Sequence, residues 1–254
     1  MTTAPAPAST VCMGVRFDRW EMEPLVHRLL NGNETLMVVT PNTDHVVRCN
    51  RDAAFAQLYA SADISFNDSR VLTGLTRLAG NGVGKAMCGS DVTAALLAQA
   101  AGTDIPITVI GCSEATVAAV VRKYRLQRVH HHNPPMGFIH NPVAVAACID
   151  FMRQHPARLV IVSVGSPRQE QLSRLAIDQG VTGALLCVGA SLLFLSGEEK
   201  RAPRWVQQLA MEWLFRLVQS PKRLAKRYLV DDVHVFRLLW QEFKRHRLGL
   251  GPNA

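Results

Sequence analysis

The 254-residue chain contains no apolar run long enough to cross a lipid bilayer. A membrane-spanning helix needs about 20 consecutive apolar residues, and the longest weakly polar stretch, from Gly183 to Gly197, is shorter and is interrupted by Gly and Ser. The first ten residues are mostly Ala, Pro, Thr and Ser, without the basic and apolar regions of a secretory signal. We therefore expect a disordered tail over residues 1–10, no export and no membrane span.

The common metal and redox motifs are also missing. The six cysteines form no C-x-x-C pair, which argues against zinc or dithiol chemistry and favours reduced, buried thiols in the cytosol. No Asp-x-Asp pair occurs, so the sequence favours a reaction without a metal ion or other cofactor. Three consecutive histidines, His130 to His132, would point to alternating faces of a strand and would not converge on one ion.

A glycine-rich segment, Gly80-Asn-Gly-Val-Gly84-Lys85, does not match a phosphate-binding loop. That loop requires a glycine five residues before its Gly-Lys pair and a Ser or Thr after it, whereas Ala79 and Ala86 stand at those positions. We expect an ordinary flexible loop here.

Basic residues are concentrated near the C-terminal end. Residues 200–248 contain 12 Lys/Arg and 4 Asp/Glu, an excess equal to the formal net charge of +8 for the whole chain. Trp205, Leu209, Trp213 and Leu217 are spaced as on one face of a helix. Lys and Arg bind surface phosphates while Trp and Leu enter the headgroup boundary. We predict a basic, all-helical appendage over 198–254 that docks on an anionic membrane surface. The alternatives are a solvated charged face and apolar residues packed on the protein's own core.

Short β-rich runs alternate with segments of helical spacing over residues 11–197. Runs such as Leu-Val-Ile-Val-Ser-Val are apolar on both faces, which is typical of parallel strands covered by helices on each side. The sequence predicts an α/β catalytic domain with a doubly wound, mostly parallel, Rossmann-like sheet. The predicted strands are Val11–Phe17, Thr35–Thr40, Asp63–Phe66, Ile107–Gly111, Arg128–His132, Leu159–Gly165 and Ala184–Gly189.

Polar residues follow four of these strands, at the end where ligands bind in open α/β sheets. Asp68 follows an apolar strand, where it is either a helix N-cap or a general base that takes a proton from a substrate hydroxyl. Thr40 and Asn42 flank a proline and either form a turn with an N-cap or bind sugar hydroxyls and diphosphate oxygens.

The segment from Gly165 to Glu170 predicts an exposed helix N-terminus, which either is simply well capped or binds a nucleotide diphosphate. Gln169 is placed to reach a uracil or a sugar. The candidate substrate-binding residues are Thr40, Asn42, Arg70, Ser166, Arg168, Gln169, Glu170 and Gly189.

In the order and length of these segments the chain resembles the WecG/TagA/CpsF family of bacterial glycosyltransferases, over about residues 11–230. The segments that carry the resemblance are Thr40-Pro-Asn42, Asn67-Asp-Ser-Arg70, Gly89-Ser-Asp91, Gly165-Ser-Pro-Arg-Gln-Glu170, and Gly189-Ala-Ser-Leu-Leu-Phe-Leu-Ser-Gly197 followed by Lys200-Arg-Ala-Pro-Arg-Trp205.

This resemblance implies inverting transfer from a nucleotide-activated sugar, usually a UDP-sugar, to a polyprenyl-diphosphate-linked sugar in teichoic acid, common-antigen or exopolysaccharide assembly. It implies that Asp68 is the base, that Thr40 and Asn42 line the pocket, and that Gln169 lies near the nucleotide sugar. Many members have Gly where this chain has Ser69, a difference beside the base that bears on the preferred sugar. Appendage arginines are implied to contact the acceptor diphosphate and the membrane; the candidates are Arg204, Arg216, Arg223 and Arg227.

Two other functions fit parts of the sequence. One is a non-catalytic scaffold in a polysaccharide assembly complex. The other is a nucleic-acid-binding module, since basic helices with aromatic residues also hold phosphate backbones, but it leaves the polar strand ends unexplained, so we expect no nucleic-acid partner. The expected location is the cytoplasmic face of the cell membrane. The donor sugar, the acceptor glycan and a homo-oligomeric state are left open.

Overall fold

The computed structural model describes residues 7–203, 205–206, 209–219, 221–226 and 231–248. Six of its strands form one parallel sheet, and two form an antiparallel hairpin. The strands are Ser9–Cys12 (β1), Val15–Asp18 (β2), Leu36–Val39 (β3), Ile64–Ser65 (β4), Ile107–Gly111 (β5), Val129–His132 (β6), Leu159–Ser163 (β7) and Ala184–Cys187 (β8).

Helices follow most of the sheet strands and cover both faces of the sheet. They are Met22–Asn31 (α1), Thr43–Cys49 (α2), Ala53–Ala60 (α3), Arg70–Leu78 (α4), Gly89–Gln99 (α5), Glu114–Tyr124 (α6), Pro142–Gln154 (α7), Arg168–Asp178 (α8), Ser191–Ser196 (α9), Glu212–Gln219 (α10), Pro221–Lys226 (α11) and His234–Arg247 (α12), with a short 3-10 helix at Phe138–His140.

Strand β7 shows why these apolar runs become parallel strands. It pairs with β5 on one side and β8 on the other. Leu159 and Ile161 pack among residues of α1, α5, α6 and α9, whereas Val160 and Val162 pack among residues of α7 and α8. Because alternate side chains point to opposite faces, a strand buried on both faces must be apolar throughout. The predicted doubly wound α/β fold is confirmed.

The predicted strand Val11–Phe17 is instead a hairpin. The chain reverses at Met13 and Gly14, which have φ angles of 50° and 74°, and β1 then pairs antiparallel with β2. The buried Asp18 carboxylate accepts the N–H of Ser65 in β4 at 2.8 Å. The hairpin is thereby attached to the edge of the main sheet, where an uncovered strand would invite pairing with other chains.

The predicted helical stripe from Trp205 to Leu217 is interrupted. Leu209 and Ala210 form a turn, Ala210 has a φ of 56°, and α10 begins only at Glu212. Trp205 and Leu209 are both mostly exposed.

The last helix packs on the α/β domain. Val235 of α12 is buried among core residues of the hairpin, α2 and α3, and Leu238 and Leu239 pack against the same cluster. The Glu242 carboxylate accepts the N–H of Met13 at 3.2 Å and the amide of Asn81. One face of α12 therefore covers the protein's own core. No helix in the described parts of the chain is both long and apolar enough to traverse a bilayer.

Candidate active site

The four polar segments follow four strands that are neighbours in the sheet. The strand order is β4-β3-β8-β7-β5-β6. We call the segment that follows the carboxyl end of a strand its exit, and the exits that carry Asp68, Thr40, Gly189 and Gln169 therefore lie side by side. Because these strands are parallel, their carboxyl ends meet at one edge of the sheet, where ligands bind in open α/β folds. The sequence-predicted segments therefore converge on one place.

The first residue of α5 lies at the centre of this edge. The N–H of Gly89 donates to Oδ1 of Asp68 at 2.9 Å. A Cβ atom at Gly89 would lie 3.5 Å from the Thr40 methyl group and 3.7 Å from the Ser191 hydroxyl. The exits of β3, β4 and β8 thus meet around the start of one helix.

Asp68 does not cap the helix that follows it. Ser69 is the N-cap of α4, and its hydroxyl accepts the N–H of Leu72 at 3.2 Å. Asn67 fixes the turn, because its side-chain oxygen accepts the N–H of Ser69 at 2.8 Å and its amide donates to Thr73 at 2.8 Å. The partly exposed Asp68 carboxylate is therefore turned to the N-terminus of α5, which carries the positive end of the helix dipole.

Thr40 and Asn42 hold the exit of β3. The buried Thr40 hydroxyl donates to the carbonyl of Cys187 at 3.4 Å, a long bond to the neighbouring strand β8. Asn42 is the N-cap of α2 and accepts the N–H of His45 at 3.3 Å. The capping interpretation of Asn42 thus holds, and the pocket role of both residues stays a prediction.

Gln169 and Glu170 lie below the strand ends. Gln169 accepts the N–H of Gly189 at 3.0 Å and donates to Glu170 at 3.0 Å. The two side chains are 2% and 0% exposed. Their visible role is therefore to hold the exits of β7 and β8 together, and the direct contact with substrate expected from the sequence stays a prediction.

The remaining candidates lie at helix starts. Arg168 is the first residue of α8, is partly exposed, and contacts the sulfur of Met136 at 3.8 Å. Pro167 is the N-cap residue of this helix. The Ser166 hydroxyl is buried beside the Glu170 carboxyl group. Arg70 begins α4 and is partly exposed. These placements leave the substrate-binding roles of Ser166, Arg168 and Arg70 as predictions.

One contact near the site was not foreseen. Arg201 forms two hydrogen bonds to the carboxylate of Asp91, in the first turn of α5. The hydrogen bonds to Asp91 raise the pKa of Arg201. The segment that leads into the C-terminal helices is therefore attached to the helix that also holds Asp68. Nothing in residue type or local spacing indicates a contact across 110 residues.

Cys88 lies at the N-cap position of α5, close to these charges. Burial, with a smaller contribution from the Asp68 carboxylate, raises its pKa to about 12. Because the thiolate is the reactive form of cysteine, Cys88 is not an activated nucleophile in this structure.

The three histidines serve the edge strand β6. His130 stacks on His155, His132 on Phe151, and Nε2 of His131 lies 3.0 Å from the carbonyl oxygen of Gly111. In the described ranges, no group of three or more His, Cys, Asp or Glu side chains is arranged to hold a metal ion.

The structure describes the predicted arginines of the C-terminal appendage only in part. Arg204 and Arg227 lie outside the described residues, and only the backbone is described for Arg216 and Arg223. Their predicted contacts with the acceptor diphosphate and the membrane stay predictions.

The outer face of α12 was not singled out from the sequence. Phe236 and Trp240 are 58% and 57% exposed, and Lys244 lies 5.2 Å above the Trp240 ring. Arg247 lies 5.0 Å above the ring of Phe243. The spacing of these residues could have indicated the face, because they recur at three- and four-residue intervals along one helix.

Doubly wound α/β proteins bind ligands at the carboxyl edge of the sheet, and here a carboxylate, hydroxyls and backbone N–H groups are gathered at that edge. Comparison with known families makes this specific. The model of the WecG/TagA/CpsF glycosyl transferase family matches residues 10–248. The chain belongs to this family and is therefore a glycosyltransferase of cell-surface polysaccharide synthesis.

Proposed function

We propose that the protein is an inverting glycosyltransferase that moves a hexose or N-acetylhexosamine from a UDP-sugar to a polyprenyl-diphosphate-linked sugar. The observation that carries this proposal is the position of Asp68. Its carboxylate is fixed on Gly89 at the edge where Thr40 and Ser191 also lie. A base at such an edge serves a hydroxyl nucleophile that enters from outside the sheet.

In the proposed reaction Asp68 takes the proton from an acceptor hydroxyl. The oxygen attacks the anomeric carbon of the donor on the face opposite the diphosphate. A new C–O bond forms as the bond from that carbon to the phosphate oxygen breaks, and UDP leaves with both electrons of the broken bond. A single displacement inverts the anomeric configuration, and one base suffices for it.

We assign stabilisation of the departing diphosphate to positive groups of the protein. The N-terminus of α8 carries the positive end of a helix dipole, and Arg168 stands in its first turn. Arg204, Arg216, Arg223 and Arg227 are the further candidates, on the acceptor side. We propose a reaction independent of a metal ion, because the sequence has no Asp-x-Asp pair of the kind that holds one beside a nucleotide sugar.

We propose that the protein works as a peripheral protein on the anionic inner face of the cell membrane. The support is the outer face of α12, where exposed Phe236 and Trp240 are accompanied by Lys244 and Arg247. Aromatic rings at the headgroup level, with cations that contact lipid phosphates, are the usual means of such docking.

Membrane docking is tested by flotation with vesicles of anionic and of neutral lipid. Trp240→Ser and Lys244→Glu should weaken binding to the anionic vesicles, because each removes one of the two attractions. Gln241→Ser, on the same helix, is the control. Equal binding of all variants, or salt-dependent binding to duplex DNA instead of vesicles, would contradict membrane docking.

The reaction is tested with a panel of UDP-sugars and a short-chain polyprenyl-diphosphate-sugar acceptor, with and without EDTA. We expect release of UDP with one preferred donor, a product of inverted anomeric configuration by NMR, and an unchanged rate in EDTA. Retention of configuration would contradict the single displacement. No binding of any UDP-sugar would favour the scaffold function.

A further inference from the structure

Thr73, near the start of α4, forms hydrogen bonds outside its own helix. A threonine inside a helix can return its hydroxyl to the carbonyl four residues earlier, and the Ser69 carbonyl oxygen lies 3.3 Å away. The carbonyl oxygen of Gly84, in the loop between α4 and α5, lies closer, at 3.0 Å. The Asn67 amide reaches the same hydroxyl at 2.8 Å. The Thr73 hydroxyl therefore contacts both the turn before α4 and the loop after it.

The donors and acceptors determine the direction of these hydrogen bonds. The N–H of Ser69 can only donate, so Asn67 presents its oxygen to Ser69, at 2.8 Å, and its amide group to Thr73. The Thr73 oxygen must accept from that amide, so its single proton is directed to a carbonyl, and that of Gly84 is the nearer. One hydroxyl thereby satisfies a donor and an acceptor from two different segments.

The turn that contains Asn67 also carries the proposed base. The N–H of Asp68 donates to the carbonyl of Pro41 at 3.0 Å, which attaches the turn to the exit of β3. Asn67 is only 2% exposed. A buried amide that loses its partner is costly, so Asn67 depends on Thr73 to keep its orientation. The shape of the turn at Asp68 thus depends on a hydroxyl of α4.

The loop over residues 79–88 is attached to the same turn. The N–H of Met87 donates to the Asn67 carbonyl at 2.8 Å, and the N–H of Gly89 donates to the Asp68 carboxylate at 2.9 Å. Gly84 has a φ of 86°, in the left-handed region that glycine adopts readily. Thr73 binds this loop at Gly84, before it reaches Met87 and Gly89.

Removal of the Thr73 hydroxyl would act on both partners of Asp68. The Asn67 amide and the Gly84 carbonyl would lose the oxygen and the proton that join them. The turn and the loop would then depend on the hydrogen bonds of Met87 and Gly89, with greater freedom to shift relative to one another. A general base must lie within hydrogen-bond reach of the proton that it takes, so a small displacement of its carboxylate lowers the rate.

We propose that Thr73 is a positioning residue for Asp68. Its hydroxyl joins the turn that carries Asp68 to the loop that leads into α5, and so fixes the carboxylate against Gly89. Thr73 acts through Asn67 and Gly84 and does not contact the substrate. Its effect on sugar transfer rests on the function proposed above, whereas its hold on the turn and the loop does not.

The hold on the loop is tested by hydrogen exchange of the peptide that contains Met87 and Gly89. Exchange should become faster in Thr73→Val, which keeps the shape of the side chain without its hydroxyl, while peptides of β7 stay protected. Thr73→Ser, which keeps the hydroxyl, should exchange as wild type does. Thr73→Ala removes the hydroxyl without placing a second methyl group against the Asn67 amide, and should behave as Thr73→Val does.

The matched control is Thr108→Val. The buried Thr108 hydroxyl donates to the carbonyl of His155 at 2.8 Å, near the amino end of β5 and away from the carboxyl edge. This variant also loses a hydroxyl, so its unfolding temperature should fall, but the peptide with Met87 and Gly89 should exchange at the wild-type rate. Wild-type exchange of that peptide in both Thr73→Val and Thr73→Ala would overturn the positioning role, whether or not the protein transfers sugar.

The kinetic result should follow the same pattern. Thr73→Val and Thr73→Ala should lower kcat roughly 10–100-fold with little change in KM, because misplacement of a reacting group affects the transition state most. Thr73→Ser should restore kcat to near the wild-type value, and Thr108→Val should leave it unchanged. A serine variant as slow as the valine variant, or a valine variant as fast as wild type, would contradict the proposal.

Discussion

The ion pair between Arg201 and Asp91 should matter more for activity than for stability. The two side chains are 27% and 42% exposed, and a partly exposed pair contributes at most about 1 kcal/mol. Arg201→Met should therefore lower the unfolding temperature by no more than about 2–4 °C in a chain of this size. The substitution should have its larger effect on the position of the segment that leads into the C-terminal helices, because Arg201 binds this segment to α5.

Asp91 lies one turn or less from Gly89, which holds Asp68. Without Arg201 the following segment loses two hydrogen bonds to this helix, so we expect a higher KM for the polyprenyl-linked acceptor, by up to roughly fivefold or about 1 kcal/mol, with the KM for the donor nearly unchanged. Arg201→Lys should lie between Arg201→Met and wild type, because a lysine keeps the charge but loses the paired hydrogen bonds.

The control is Arg51→Met. Arg51 pairs with Asp231 at 3.4 Å and also joins the C-terminal region to the α/β domain. Arg51 lies beyond the C-terminal end of α2, whereas the N-terminus of this helix, capped by Asn42, follows the end of β3 at the site. Steady-state kinetics with each substrate varied in turn measures both constants. An unchanged acceptor KM in Arg201→Met, or an equal rise in Arg51→Met, would refute the reasoning.

Three further predictions concern the supporting structure. Gly183→Ala should destabilise the fold by roughly 1–3 kcal/mol, because Gly183 has a φ of 105° and a Cβ would lie 2.2 Å from a backbone oxygen. The control in denaturant unfolding is Gly74→Ala on α4, where a Cβ meets nothing within 4 Å. Equal unfolding midpoints of the two variants would contradict the predicted strain at Gly183. Ser69→Ala should cost about 1 kcal/mol and Ser69→Gly only a few tenths, as measured by calorimetry; an unchanged stability of Ser69→Ala would show that the hydroxyl does not cap α4. Cys88 should react slowly with iodoacetamide at neutral pH and faster as the pH rises towards its pKa of about 12, and fast labelling of the native protein at neutral pH would contradict this burial.

The fold could be predicted because strands that are buried on both faces of a sheet have apolar residues at nearly every position in the sequence. Strands β5 and β7 are apolar at nearly every position, since helices cover each side of the sheet. The hairpin was missed for the same reason. Cys12, Val15 and Phe17 are also buried, so the turn at Met13 and Gly14 lies hidden within an apolar run.

The location of the site could be predicted from the polar strand exits, but the role of each side chain could not. Asn42 and Ser69 cap helices, while Asp68 binds the start of a different helix. These three residue types are interchangeable as caps in a sequence pattern. Only the order of the strands in the sheet determines which side chain faces which helix.

Contacts between segments that are distant in the sequence could not be predicted from local residue patterns. Arg201 meets Asp91, and α12 packs Val235 into the α/β core. The basic C-terminal region was recognised by its charge, but charge alone does not tell which helical face is buried. Tertiary packing places Val235 inward and Trp240 outward on the same helix.

The most direct test of the central claim is the rate of sugar transfer by Asp68→Asn with the preferred donor. Asparagine keeps an oxygen that can accept the N–H of Gly89, so the variant should fold and bind UDP-sugar as wild type does, yet kcat should fall by about 10²–10⁴ because the base is lost. Asp178→Asn, an exposed partner of Arg174, should leave the rate unchanged. A folded Asp68→Asn protein that transfers sugar at the wild-type rate would contradict the assignment of the base.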